Sequence, residues 1–360
     1  MKKTILYDEH VRLGGKMVEF AGYLLPIEYT GIALEHQAVR DQCGVFDVSH
    51  MGEIEISGKD AIAFINYLFT NDVASVEAKR MVYGLMLYPH GGVVDDMMVY
   101  KYNNHHLLLV VNAGNKDKDL AWILDHQQAY DVEVVDRSGY YSQLALQGPK
   151  AEGILQSLTK YPLHNLRSLT FDHLTMLNHD FLVSRSGYTG ADGFEIYGAN
   201  AHIFELFQLF SRLPEITLCG LGCRDTLRFE ASMPLYGHEI DETINPLEAG
   251  LNFAVKLDKS FIGSEVLVAA QASGLKRKVV ALELIERVIA RLGYEVEADG
   301  QLIGHVTTGY MIPNTTKSYA FALIASEYAA LGTIVGIRIR KNLVKAKVRN
   351  KRLLEKKYVR

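Results

Sequence analysis

Gly91-Gly92-Val93-Val94-Asp95-Asp96-Met97-Met98-Val99-Tyr100 sets two adjacent carboxylates in an otherwise apolar run. In an extended chain successive side chains take opposite faces, so Asp95 joins Val93, Met97 and Val99 while Asp96 joins Val94, Met98 and Tyr100. Both faces are apolar, so at least one carboxylate leaves bulk water. An unpaired buried charge costs several kcal/mol and is seldom kept without a role. The competing reading is that Asp95 merely closes the turn begun at Pro89-His90-Gly91-Gly92. Spacing alone leaves the two open.

Outward from this strand, 81–87 and 107–112 also read as strands, joined to it through Pro89–Gly92 and Asn103-Asn104. Upstream, 34–42 has a helical pattern, and Glu53-Ile54-Glu55-Ile56-Ser57 alternates as a half-buried strand does. A helix over 59–69 gathers Ala61, Phe64, Ile65 and Leu68 on one face. Downstream the pattern predicts helix at 116–127, strands at 132–135 and 144–147, and a helix from Pro149. Strands at 175–185 and 194–197 and helices at 201–210 and from Gly222 follow. Short helices alternating with hairpin-linked strands indicate an α+β body. After about residue 276 only strands recur, at 279–284, 294–298, 303–307, 319–324 and 334–340, which predicts a closing all-β, barrel-like domain. The expected division is 1–55 together with 140–275 as one body, 56–139 as the lobe carrying the carboxylates, and 276–360 as the β domain with a basic tail.

The 360 residues suffice for two or three domains, and 48% hydrophobic with 22% charged residues is ordinary for a globular protein. No apolar run is long enough to span a bilayer, and the first residues resemble neither a signal nor a transit peptide. Three scattered cysteines, Cys43, Cys219 and Cys223, make no disulfide framework, so a cytoplasmic location is expected. The net charge of −4 is uneven. Residues 337–360 hold eleven Lys or Arg against one acid, Glu355, which leaves 27 basic and 41 acidic side chains in the first 336. A basic end on an acidic body is a docking surface for something negative, or a set of lysine-studded edge strands. Nucleic acid is not expected, because aromatics are not interleaved with the basic residues.

Several chemistries are excluded. There is no phosphate loop, and Gly220-Leu221-Gly222-Cys223-Arg224-Asp225 lacks the third glycine of a dinucleotide fingerprint. Cys219 and Cys223 lack the paired His or Cys residues of a metal site, so they read as buried thiols. Three places remain. In Ser186-Gly187-Tyr188-Thr189-Gly190-Ala191-Asp192-Gly193-Phe194-Glu195-Ile196, glycines around Tyr188 allow close backbone approach to a ligand, or form a plain turn. Arg224 and Arg228 share a helix face and offer a carboxylate-binding fork or a surface ion-pair ladder. Tyr83, Tyr100, Tyr188, Phe253 and the group near Tyr236 supply aromatic walls, or simply core.

Taken in order, Asp47-Val48-Ser49-His50-Met51-Gly52-Glu53, Gly91-Gly92-Val93-Val94-Asp95-Asp96, Val110-Val111-Asn112-Ala113, Ala145-Leu146-Gln147-Gly148-Pro149 and Gly187-Tyr188-Thr189-Gly190 resemble the aminomethyltransferase (T-protein) family of the glycine cleavage system. So do Gly220-Leu221-Gly222-Cys223-Arg224-Asp225-Thr226-Leu227-Arg228 and Leu235-Tyr236-Gly237-His238-Glu239-Ile240-Asp241-Glu242. The resemblance runs from about Leu6 to Ile339. It implies a three-lobed, folate-binding fold with tetrahydrofolate as co-substrate and no metal, flavin or nicotinamide. It further implies a partner, the lipoylated H-protein, whose aminomethyl group gives its methylene to folate N5 with release of ammonia.

By the same resemblance the catalytic aspartate falls at Asp95, with Asp96 as its structural neighbour. Glu195 and Arg224 match folate contacts, and Met51, Tyr83, Tyr100, Asn112, Tyr188 and Phe253 would line the pocket. A tail tyrosine used by some members matches Tyr358, and the basic C-terminal surface would dock the acidic H-protein. The chain departs from the family at Phe253, where Trp is common, and in its last motifs. A non-catalytic folate-binding relative on the same scaffold is the alternative function. The iron–sulfur accessory form of that scaffold carries a cysteine signature that Met233–Glu239 lacks.

Overall fold

The computed structural model describes residues 1–356. The strand Val93–Asn103 lies second in an antiparallel five-stranded sheet ordered Arg80–Leu87, Val93–Asn103, His106–Val111, Gly52–Ser57, Glu133–Asp136. Its register holds one surprise. Met86 pairs with Asp95 and Leu87 with Val93, so Val94 is the extra residue of a bulge. Strict alternation from Val93 therefore breaks: Val93 joins Leu85 and Leu87, whereas Val94 packs with Met97 and Val99. Gly92 precedes the bulge because a Cβ there would run into the Glu242 carbonyl.

One face of this sheet is closed by apolar residues of helix Ala61–Leu68 (Phe64, Ile65, Leu68) and by Ile123 of helix Lys116–Asp125. The other face has two covers. Met81, Tyr100, Leu108 and Val110 meet Phe171, Leu182 and Tyr197 of a second sheet. Leu85, Leu87 and Val93 meet Ile240, Leu247, Leu251, Phe261 and Leu267 from a later segment. Tyr83, Asp96 and Met98 lie on that same face and stay only half-buried.

The second sheet has six strands, ordered Phe171–Met176, His179–Ser184, Gly193–Ala199, Tyr141–Gln147, Gly44–Asp47, Thr217–Leu218. Helices Ala151–Gln156 and Asn200–Phe210 bury Leu155, Ile203, Phe207 and Phe210 against its back. The C-terminal domain is a closed six-stranded barrel, Arg277–Leu284, Ser318–Ala325, Gln301–Met311, Glu295–Ala298, Ile334–Ile339 and Asn342–Arg349. Phe229 and Ile244 seat it on the body against Val279, Phe321 and Leu323. The chain is thus an α+β protein of three lobes ending in a β-barrel. No helix among the described residues is long and apolar enough to cross a membrane.

Several elements depart from the sequence pattern. The single strand expected over 175–185 is a hairpin, Phe171–Met176 and His179–Ser184, turning at Leu177 and Asn178 with φ of 51° and 62°. Helix Ser264–Ser273 was not foreseen. The boundary expected at residue 55 falls inside Gly52–Ser57 of the five-stranded sheet. The basic run is no edge: Val344, Ala346 and Val348 fill the barrel while Lys345 and Lys347 point outward, and the strand pairs on both sides.

Candidate functional site

The two adjacent aspartates have opposite surroundings. Asp95 turns toward the helix-covered side and is fully buried. Its Oδ2 accepts the backbone N–H of Asn112 at 3.0 Å, and its Oδ1 accepts the side-chain amides of Asn112 at 2.9 Å and Asn115 at 2.6 Å. Asp96 turns to the face left partly open. Its Oδ2 accepts the Tyr83 hydroxyl at 3.0 Å and its Oδ1 the Asn112 amide at 2.8 Å. Burial and then the charge of Asp95 push the Asp96 carboxyl up to about 7. The sequence-based expectation put the reacting carboxylate at Asp95; the structure sets that side chain beneath the sheet among three amide donors and turns Asp96 to the face left partly open. The alternation of the strand separated the two, but only tertiary packing decides which face is open.

Tyr188 lies near Asp96, and Arg224 and Glu195 are grouped with Tyr188. Gly187 allows this loop to close on the sheet, since a Cβ there would strike the Gln147 side chain. The Tyr188 hydroxyl donates to the Pro234 carbonyl, and the Arg224 guanidinium lies 5.0 Å from the Tyr188 ring centre. Tyr188 is near enough to feel the charges of both Asp96 and Arg224. Arg224 has no side-chain hydrogen bond or ion pair among the described residues, and burial lowers its pKa. Its donor fork is therefore free for a ligand. Glu195 accepts the Ser186 hydroxyl at 2.5 Å, with the Gln143 amide at 3.4 Å. Burial raises its pKa, against the Ser186 hydrogen bond and the Arg224 charge.

The remaining expected residues divide. Met51 and Asn112 are half-buried, Asn112 tying Asp95 to Asp96 by one amide. Tyr100 is fully buried, its hydroxyl held by Tyr197 at 2.8 Å and Ser184 at 3.0 Å. Ser184 in turn contacts Ser186, so Tyr100 braces Glu195 from behind and is no pocket wall. Phe253 is 66% exposed and stacks on Tyr83 with ring centres 5.9 Å apart. Arg228 does not share the pocket with Arg224; it is buried in bonds to Asp225, Glu239 and Thr308. Tyr358 lies outside the described residues.

Sequence reasoning missed Asn115 and Lys118. Lys118 donates to the Val94 carbonyl at 2.6 Å and to the Tyr236 hydroxyl at 3.0 Å, fixing an aromatic beside the aspartates. Their signal was the polar start of the 116–127 helix immediately after the Asn112 strand. Glu35, Cys219 and Cys223 lie close enough to suggest a metal centre. The Glu35 carboxylate, however, already accepts backbone N–H groups from Tyr29, Thr30, Gly31 and Gly220. This cluster is a loop clasp.

With this geometry in place, the comparisons with known proteins are specific. Residues 6–259 match the family model described as GCVT N-terminal domain, and 277–354 that of the glycine cleavage T-protein C-terminal barrel domain. An aminomethyltransferase of Alkaliphilus oremlandii is 51% identical over 98% of this chain and 97% of its own length. One from Thermoanaerobacter pseudethanolicus is 47% identical over 99% of each. The crystal structure of glycine cleavage system aminomethyltransferase T from Bartonella henselae superposes with a TM-score of 0.95 at 29% identity, covering 100% of this chain and 99% of that one. The chain belongs to the aminomethyltransferase family, the T-proteins of the glycine cleavage system.

Proposed function

We propose that the chain transfers the methylene of an aminomethyl group on the lipoyl arm of H-protein to N5 of tetrahydrofolate, releasing ammonia, with Asp96 as its acid–base group. The observation that carries this reading is the position of Asp96. It is the half-buried carboxylate held between Tyr83 and Asn112, near Tyr188, whose ring the Arg224 guanidinium adjoins.

The residues present fit a folate. Glu195 is an acceptor suited to the donor-rich edge of a pterin, and Arg224 is an unpaired donor fork suited to its carbonyl or carboxylate groups. Tyr83, Tyr188 and Tyr236 supply flat apolar faces. Positioning then does much of the work, because N5 must meet a carbon delivered on a flexible arm. As N5 attacks it becomes cationic, and an adjacent carboxylate stabilises that charge and accepts the proton. A proton affinity near neutrality suits Asp96 to that exchange.

We infer that H-protein docks against the basic C-terminal strand. Residues 351–354 lie against the body: the Ser232 hydroxyl donates to the Lys351 carbonyl, the Lys351 ammonium to the Ala249 carbonyl at 2.6 Å, and Leu354 packs near Gly190. The bacterial relatives and three unpaired buried cysteines fit a cytoplasmic setting. The test is a coupled assay for 5,10-methylenetetrahydrofolate made from aminomethylated H-protein, with and without tetrahydrofolate. Folate-dependent product supports the reading. Folate binding without product would leave the non-catalytic alternative.

A further inference from the structure

Helix Lys116–Asp125 carries one more carboxyl that the reaction above does not use. Asp119 sits one turn beyond Asn115, its N–H bonded to the Asn115 carbonyl at 2.8 Å, so it shares the helix face whose amide holds Asp95. It is fully buried, and neither oxygen meets an N–H or hydroxyl donor. The neighbouring ammonium of Lys118 is spent on the Val94 carbonyl and the Tyr236 hydroxyl. The charged and titratable groups facing Asp119 are Asp95 and Asp96 from the strand, Lys118 from its own helix and Tyr88 from the turn beyond Leu87.

An ionised Asp119 would be a second buried anion against Asp95 with no donor to hold it. A protonated Asp119 can turn its O–H to the neighbouring Asp95, which already collects amide donors from Asn112 and from Asn115 one turn before Asp119. We propose that Asp119 is a positioning residue: its carboxyl keeps its proton, donates the O–H to Asp95, and so holds Asp95 as a fixed anion behind Asp96. Burial first, then the Asp95 charge and hydrogen bond, push the Asp119 carboxyl far above the ordinary range, in agreement with that geometry. The inference rests on Asp96 as the acid–base group. No proton of Asp119 is consumed in the reaction; its part is to secure the charge that makes Asp96 a stronger base.

Two measurements test it. In the first, kcat/KM for methylene transfer is followed against pH. Activity rises as Asp96 loses its proton, so the acid limb reports Asp96. Asp119→Asn, a neutral donor of the same shape, should keep that limb and stay within about threefold of wild type. Asp119→Ala lets Asp95 take up the proton, so the limb should move to lower pH by about one unit, as it should in Asp95→Asn. A limb that shifts in Asp119→Asn, or stays fixed in Asp119→Ala, overturns the proposal. The second needs no activity: burial also pushes up the unpartnered Glu53 carboxyl, so the readout is the infrared difference between wild type and Asp119→Asn at mildly alkaline pH, in which the carbonyl band of one protonated carboxyl should be lost. If it is not, Asp119 is ionised and the inference fails. Full activity of Asp96→Asn with the band intact would instead defeat the assignment of Asp96 and leave the protonation of Asp119 standing.

Discussion

Asp95 and Asp96 are neighbours in the chain, yet the sheet sends them into different chemistry. Asp95 is a fully buried anion met by three N–H groups on the helix-covered side. Asp96 keeps a partial opening, two donors and a proton affinity raised to about 7. A strand between two unlike covers can divide one pair of identical residues into a caged carboxyl and one at a partly open face. The same contrast separates the arginines of the Leu221–Glu230 helix: Arg228 is locked by Asp225 and Glu239, while Arg224 lies over the Tyr188 ring with no ion pair among the described residues.

The sharpest way to break this comparison is to remove each carboxylate in turn. Asp96→Asn should lower kcat by about 10²- to 10⁴-fold, the range for a general acid–base group, with folate affinity by equilibrium binding changed far less. Asp95→Ala should act on the fold as well, because it strands the Asn112 and Asn115 donors. A loss of roughly 2–4 kcal/mol in urea unfolding is expected. If Asp95→Ala proves as stable as wild type but inactive, while Asp96→Asn turns over normally, the roles are reversed. Arg224→Ala tests the arginine contrast. It should raise the folate KM by about 10- to 100-fold, the value of one or two charge-assisted hydrogen bonds, with kcat little changed. Arg228→Ala should instead unfold the protein more readily.

The pH dependence of stability gives a finer test. Between about pH 4, where an unfolded Asp releases its proton, and about pH 7, the fold still holds that proton on Asp96. The native state then binds more protons than the unfolded one, so this residue makes the unliganded protein lose stability as pH rises through that window. Asp96→Asn removes the loss, and its Tm above pH 7 should exceed that of wild type. Equal Tm values would mean that Asp96 titrates like an exposed aspartate.

Much of this was legible in the sequence, for reasons that also mark where legibility stops. The apolar alternation around Asp95 and Asp96 showed a strand with carboxylates on opposite faces, and the strand-only pattern after 276 showed the barrel. Which face opens depends on where 240–267 and the Tyr141–Gln147 sheet land, contacts more than forty residues away in sequence. The bulge at Val94 left no composition signal. Tyr100 was expected to line the pocket, yet no local rule shows that its ring fills the inter-sheet core. Arg228 and Arg224 have the right helical spacing to act together; the barrel residue Thr308 and the distant Glu239 separate them.

The smallest expected effect concerns the barrel, and it sharpens the comparison between an acidic body and its basic end. Lys345 and Lys347 alternate outward along Asn342–Arg349 and are exposed, whereas Arg349 is drawn into contact with Glu283 at 3.2 Å and lies over the Tyr319 ring. Arg349 is therefore engaged within the barrel, and the exposed charges on this strand are the two lysines. Lys345→Ala with Lys347→Ala should raise the KM for H-protein about two- to fivefold at low ionic strength, leave kcat and folate binding alone, and flatten the dependence of KM on salt. Exposed charges act over roughly 8–10 Å at physiological salt, so the difference between wild type and variant should shrink as salt is added. A salt profile identical in the two proteins would move the docking face off this strand.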